Sequence, residues 1–294
     1  MNVTIQTETQ KKSVKVQMMR ALKQLVRFGW EQALSCVFPV AIFASLALTQ
    51  IIPLPFLPRY DWMLIICLLM QWWMVHSGLE TWDELKVITL FHLIGLALEI
   101  FKVHMGSWSY PEEGYVKIFG VPLYSGFMYA SVASYLCQAW RRLKVELVKW
   151  PSFFVVVPLA AAIYLNFFTH HYWIDVRWWL SGLVIIVFWK SWVIYEVGGV
   201  RYRMPIAFSF VLIGFFIWIA ENIATFFGAW TYPNQTEAWS LVHLGKVSSW
   251  LLLVIVSFLI VATLKLTKGK ISTKRDIESD FNKRRVLIVE NCDE

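Results

Sequence analysis

Eight stretches of this chain each approach the roughly 20 mostly apolar residues that a helix needs to cross the hydrocarbon core of a bilayer. They are residues 33–52, 62–79, 87–103, 121–140, 153–169, 173–194, 206–227 and 247–266. The gaps between them carry turn and loop chemistry: Pro53, Pro55 and Pro58, then residues 111–120, then 141–151, then Gly198 and Gly199. The expected fold class is therefore an all-α polytopic membrane protein with eight transmembrane helices. Only 16% of the residues are charged, against about 25% in an ordinary soluble domain. That excludes a soluble globular enzyme, a disordered chain and a collagen-like rod. Cys36, Cys67, Cys137 and Cys292 form no paired motif, which excludes a disulfide scaffold.

The charges orient the spans. With the N-terminus placed inside, residues 1–32, 80–86, 141–152, 195–205 and 265–294, together with Lys190, hold 22 of the 27 Lys and Arg. The excess of basic residues on one side predicts that both termini are cytoplasmic, in a multi-pass protein of the plasma (inner) membrane. The net charge of +7 is then a matter of topology, and nucleic acid is not an expected partner. Residues 14–30 set Val14, Met18, Leu22, Leu25 and Val26 against Lys15, Arg20, Lys23 and Arg27. That pattern predicts a basic amphipathic helix lying on the inner leaflet, within a cytoplasmic segment 1–32. A charged cytoplasmic tail is expected over 267–294.

The most informative motif occurs twice. Glu99, Gly106, Trp108, Tyr110 and Pro111 are followed, each 122 positions later, by Glu221, Gly228, Trp230, Tyr232 and Pro233. The shared pattern, E-x6-G-x-W-x-Y-P, implies a tandem duplication into halves 33–140 and 141–266. With four spans in each half, the two halves point the same way, as parallel repeats about an axis along the membrane normal.

Both glutamates sit about two helical turns before an outward-facing loop. His92, Gly95, Glu99 and Lys102 share one helix face, as do Gly214, Trp218, Glu221, Thr225 and Gly228. Carboxylates inside a membrane are costly and persist when paired, protonated or used. Glu99 and Glu221 are thus the candidate catalytic residues. Lys102, Lys246, Asn222 and His92 are candidate binding partners, and Trp108, Tyr110, Trp230 and Tyr232 are candidates for lining or gating the site. Two other readings stay open. Glu99 pairs structurally with Lys102, and Glu221 with Lys246 or Asn222; the aromatics form an interfacial belt. His170 and His171 with Asp175 lack the spacing of a metal site, so no metal is expected, and the sequence names no cofactor.

The stretch from Glu99 through Gly106, Trp108, Tyr110 and Pro111 to residues 120–126, with its partner from Glu221-Asn222 to Pro233, resembles the YoaT-like family of bacterial integral membrane proteins. That family is a domain of unknown function (DUF817). The resemblance covers roughly residues 30–268 and implies a fold and a location without a mechanism. The same pattern is more distantly similar to the membrane-bound carotenoid cyclases and hydratases, although residues 124–130 lack the acidic motifs of that group. This similarity would make Glu99 and Glu221 general acids toward a lipid-soluble isoprenoid.

Three functions follow as alternatives. The first is such an enzyme, the second a transporter or channel for a small polar or ionic solute, and the third a non-catalytic scaffold or receptor. The expected partners are the lipid bilayer and a lipid-soluble or small polar ligand.

Overall fold

The computed structural model describes residues 2–52 and 54–265, with side chains from Lys15 onward. The charged tail 267–294, with Cys292, lies outside the described residues. The fold is mostly helical. Its helices are α1 (Asn2–Ser35), α2 (Val37–Ile51), α3 (Arg59–His76), α4 (Trp82–His104), α5 (Ser125–Arg142), α6 (Phe153–Thr169), α7 (Arg177–Val187), α8 (Ile206–Phe226) and α9 (Lys246–Lys265). Among the described residues α4, α8 and α9 are long and apolar enough to cross a membrane. The pair Lys15–Ser35 and Val37–Ile51, bent by 68° to each other, makes a fourth if taken as one span.

The sequence expectation needs two corrections. The apolar run 173–194 is not one helix. Its helix α7 has 11 residues, about 16 Å at 1.5 Å per residue, about half of a hydrocarbon core. The chain then turns at residues 188–191 into strand β4 (Trp192–Val197), which pairs with β5 (Val200–Pro205). The physical reason is local. Gly198 and Gly199 both have positive φ, +57° and +79°, which suits the two-residue turn of a twisted hairpin. The flanking Trp, Val, Ile and Tyr residues prefer strand, and Tyr195 stacks on Tyr202 across the pair.

The second correction is to the all-α class itself. Strand β3 (Glu146–Val148) adds to β4, and a small hairpin of β1 (Lys117–Ile118) and β2 (Val121–Pro122) precedes α5. The run 121–140 therefore becomes helical only from Ser125.

Helix α1 is exposed along Met18, Met19, Leu22, Leu25, Val26 and Trp30. Its Phe28 packs on Tyr195 of the β4–β5 hairpin. Helix α4 begins at a capping box, Thr81 with Glu84, which satisfies two otherwise unpartnered N–H groups. Glu84 also takes Lys265 at 2.6 Å and Arg141 at 3.4 Å, tying the starts and ends of three helices together at the hairpin end of the bundle.

Helices α4 and α5 approach closely because each offers a glycine at the contact. A Cβ on Gly95 would meet the Tyr129 ring at 2.4 Å, and one on Gly126 would meet His92 at 2.7 Å. The core around them contains Phe38, Leu46, Tyr60, Met63, Tyr124 and Phe210.

Candidate functional site

The two copies of the motif form the same turn. Gly106 and Gly228 each adopt φ +67°, the left-handed conformation that glycine enters without steric cost. In each turn the residue after the glycine donates back to the last helical turn: Ser107 N–H to Lys102 O and Ala229 N–H to Ala224 O, both at 2.9 Å. This closes the helix ends by the Schellman arrangement. The turns then meet. Ser109 N–H donates to Thr231 O at 3.0 Å, and Thr231 N–H to Ser109 O at 2.9 Å, as an antiparallel bridge.

Above each turn the motif tyrosine reaches the motif glutamate. Tyr110 donates to Glu99 at 2.7 Å, and Tyr232 donates to Glu221. An aromatic residue of the next helix supplies a second donor to each: Tyr129 of α5 to Glu99 at 2.7 Å, and Trp250 of α9 to Glu221 at 2.5 Å. Gly95 makes the first of these possible by letting the Tyr129 ring lie against α4. Trp108 completes the ring around Glu99 at 2.6 Å, whereas its counterpart Trp230 is buried in the core. Sequence reasoning missed Tyr129 and Trp250. They follow their glutamates by 30 and 29 residues, a near-repeat outside the strict motif.

The two glutamates differ in what they face. Glu99 is enclosed by its three donors. Glu221 lines a cleft of about 280 Å³ together with Lys102, Trp108, Tyr129, Tyr232, Lys246 and Trp250. The cleft also takes in His170, His171, Arg177 and Asn166, and the apolar side chains of Leu98, Phe167, Leu252 and Leu253. Neither expected ion pair forms: among the described residues no salt bridge joins Lys102 to Glu99 or Lys246 to Glu221. Lys102 Nζ lies instead 2.8 Å from His171 Nε2 and 3.4 Å from His170 Nε2. Lys246 Nζ sits 4.7 Å from the Tyr232 ring centre and 5.5 Å from that of Trp108, both cation–π contacts.

The histidines are tuned to accept. His170 Nδ1 faces the Asn166 carbonyl at 2.8 Å. A carbonyl only accepts, so Nδ1 carries the proton, and the lone pair of the neutral ring is on Nε2, toward Lys102. Burial, followed by the charges of Lys102 and His170, pushes His171 down to about 4. Burial raises Asp175, but the Arg177 N–H, Asn166 and the Arg177 charge outweigh it and hold the carboxylate below its usual range. Arg177 itself uses Nε on Asp175 at 2.5 Å and Nη1 on Ser249 at 3.1 Å.

Five sequence candidates do not line the cleft: Glu99, Tyr110 and Trp230, which belong to the turns and their core, and Asn222 and His92. Asn222 bonds to Trp218 O and Val242 N–H, pinning the loop that precedes α9. His92 packs between Gly126 and Phe127 on the α4–α5 contact. On the other flank of the bridge, Arg59 gathers the carbonyls of Leu46, Phe227 and Gly228 and the carboxylate of Glu112. Among the described residues no group of three or more His, Cys, Asp or Glu is placed to hold a metal ion.

Comparison with known proteins places this chain in a family. Residues 24–258 match the family model described as Protein of unknown function (DUF817). The chain is 83% identical, over 264 residues, to the uncharacterized protein YoaT of Bacillus subtilis (strain 168), covering 90% of this chain and 100% of that one. Among solved structures it is similar to MvINS, an Insig homologue from Mycobacterium vanbaalenii, with TM-score 0.46 and 12% identity. A cross-linked MvINS trimer gives TM-score 0.45 and 13% identity. Each of these covers 62% of this chain and 93% of the other.

Proposed function

The chain belongs to the DUF817 family, and we propose that it is a multi-pass plasma-membrane protein that binds a small polar or ionic solute in the cleft beside the paired turns. The functional class is a transporter or receptor for that solute. The observation that carries this reading is the cleft itself, where Lys102, Lys246, Arg177 and Glu221 converge beside an opening of about 280 Å³. Charged groups in an apolar bundle are costly and mark ligand or ion pathways.

In this reading Glu221 is the carboxylate of the site and Glu99 anchors its wall. A general acid must pass its proton to a substrate, and Glu99, enclosed by three donors, has no such acceptor beside it. The alternative of acid catalysis on a lipid-soluble isoprenoid therefore rests on Glu221, with the apolar side chains of Leu98, Phe167, Leu252 and Leu253 in its favour.

The architecture we propose with it is eight helices in two parallel four-helix halves, 33–140 and 141–266. Both termini are cytoplasmic, flanked by segments 1–32 and 267–294, and the paired turns face outward. The identical φ of Gly106 and Gly228 and the reciprocal bonds of Ser109 and Thr231 support it. So does the bias of basic residues.

Ser249, which lines the cleft, tests the binding reading. In a cysteine-free background, Ser249→Cys should react with a membrane-impermeant charged thiol reagent added from outside. If it stays unreacted while Thr236→Cys, on the exposed loop nearby, is labelled, the cleft is closed to water and the reading fails.

A further inference from the structure

Lys102 is 5% exposed, and among the described residues its ammonium has two imidazoles within hydrogen-bonding distance, while that of Lys246 lies over the rings of Tyr232 and Trp108, in the same lining as Glu221. A buried charge is stable when it is paired, and among the described residues neither lysine makes a salt bridge. Lys102, Lys246 and Arg177 line the cleft beside one carboxylate, Glu221, and Arg177 is already engaged with Asp175. Arg177 is turned toward the cleft by its bonds to Asp175 and Ser249, with the remainder of its N–H fork unused by either.

The apolar part of the lining has a different character. Leu98, Phe167, Leu252 and Leu253 offer no hydrogen-bonding side chain. The volume, about 280 Å³, lies at the lower end of the about 300–1,000 Å³ of small-molecule sites. It holds a head group and a short length of chain, not a whole lipid.

We propose that the cleft binds an oxyanion, a carboxylate or phosphodiester, carried on an apolar chain. Lys102 and Lys246 are its charge partners, and Leu98, Phe167, Leu252 and Leu253 hold the first carbons of the chain. Lys and Arg donors suit carboxylate and phosphate oxygens because each bond is charge-assisted. The aromatic faces under Lys246 hold its ammonium without consuming an N–H. This assignment rests on the solute-binding reading above and names the class of solute.

The test uses the full chain purified in a non-ionic detergent, with decanoate as the probe and decanol, decyltrimethylammonium and acetate as comparisons. Decanoate should raise the unfolding temperature by roughly 3 °C or more at saturation, and the other three should not. The Lys102→Gln/Lys246→Gln double variant should lose the decanoate effect. Equal stabilisation by decanol and decanoate overturns the proposal, as does equal stabilisation by acetate, or a decanoate effect that survives in the double variant. If the double variant does not fold, the comparison on the unaltered protein decides alone.

Phosphatidylglycerol separates the two sources of such an anion. Competition with decanoate assigns the site to a lipid head group, and no competition assigns it to a free carboxylate. Ser249→Cys distinguishes the two levels of failure. If the charged reagent reacts there but decanoate shows no advantage, only the oxyanion assignment falls. If the reagent does not react, the binding reading falls with it.

Discussion

Ser109 and Thr231, 122 positions apart in the chain, exchange a pair of backbone hydrogen bonds of 3.0 and 2.9 Å. They occupy the same position in the two copies of the motif, so the bridge joins a turn to its own counterpart. Equivalent residues that bond reciprocally lie across a local two-fold relation. Each glutamate reaches its motif tyrosine across the same eleven residues.

The two glutamates should therefore behave differently when neutralised. Glu99→Gln places an amide N–H₂ among three donors, leaving at least one buried donor without an acceptor, at a cost of about 1–3 kcal/mol. Glu221→Gln disturbs two donors at the edge of the cleft and should cost less. Thermal unfolding in detergent checks the order. A Glu221→Gln protein less stable than Glu99→Gln would remove the distinction between anchor and site residue.

Gly95→Ala should destabilise by about 1–3 kcal/mol through overpacking, because its Cβ would meet Tyr129 at 2.4 Å. The displaced ring would take the Tyr129 hydroxyl away from Glu99. Gly29→Ala, whose Cβ meets nothing within 4 Å on α1, serves as the control. It should be neutral or stabilising by up to about 1 kcal/mol. Similar melting temperatures for the two variants would contradict the packing argument.

Acid should weaken the protein through His171. Its folded value is pushed down to about 4 from an ordinary 6.5, so between these pH values the unfolded chain binds the proton more readily. Stability then rises with pH across that window and is lost as pH falls through it. The unfolding temperature should drop from pH 7 to pH 5, and drop less in His171→Gln. An equal drop in both would place the sensitivity elsewhere.

The topology is open to direct labelling. Glu113→Cys and Thr236→Cys, both exposed beside the paired turns, should react with an impermeant reagent in intact cells. Lys149→Cys, exposed beside the hairpin, should react only after permeabilisation. Labelling of Lys149→Cys in intact cells would reverse the proposed orientation.

The parts of this protein that could be read in the sequence were those fixed by spacing along one helix and its turn. Glu99 with Tyr110, and Glu221 with Tyr232, are local relations, repeated at a constant offset. The partners of Lys102 were not legible, because His170 and His171 come from a loop 68 and 69 residues away. Only packing brings them together. The run 173–194 misled for the opposite reason. Hydropathy alone does not distinguish a strand that packs on a half-buried surface from a helix in lipid, and the Gly198-Gly199 turn carried the missing information.

Arg59 bears on how deep this site can lie. The last carbonyls of a helix lack partners within the helix and normally draw its end toward water. In α8 the Phe227 and Gly228 carbonyls that follow the helix are met by a guanidinium whose side chain is only 11% exposed. A tethered cation thus stands in for hydration at that terminus. The waterline then no longer dictates where the second motif sits, and its glutamate can be held at a level chosen by the protein's own wiring.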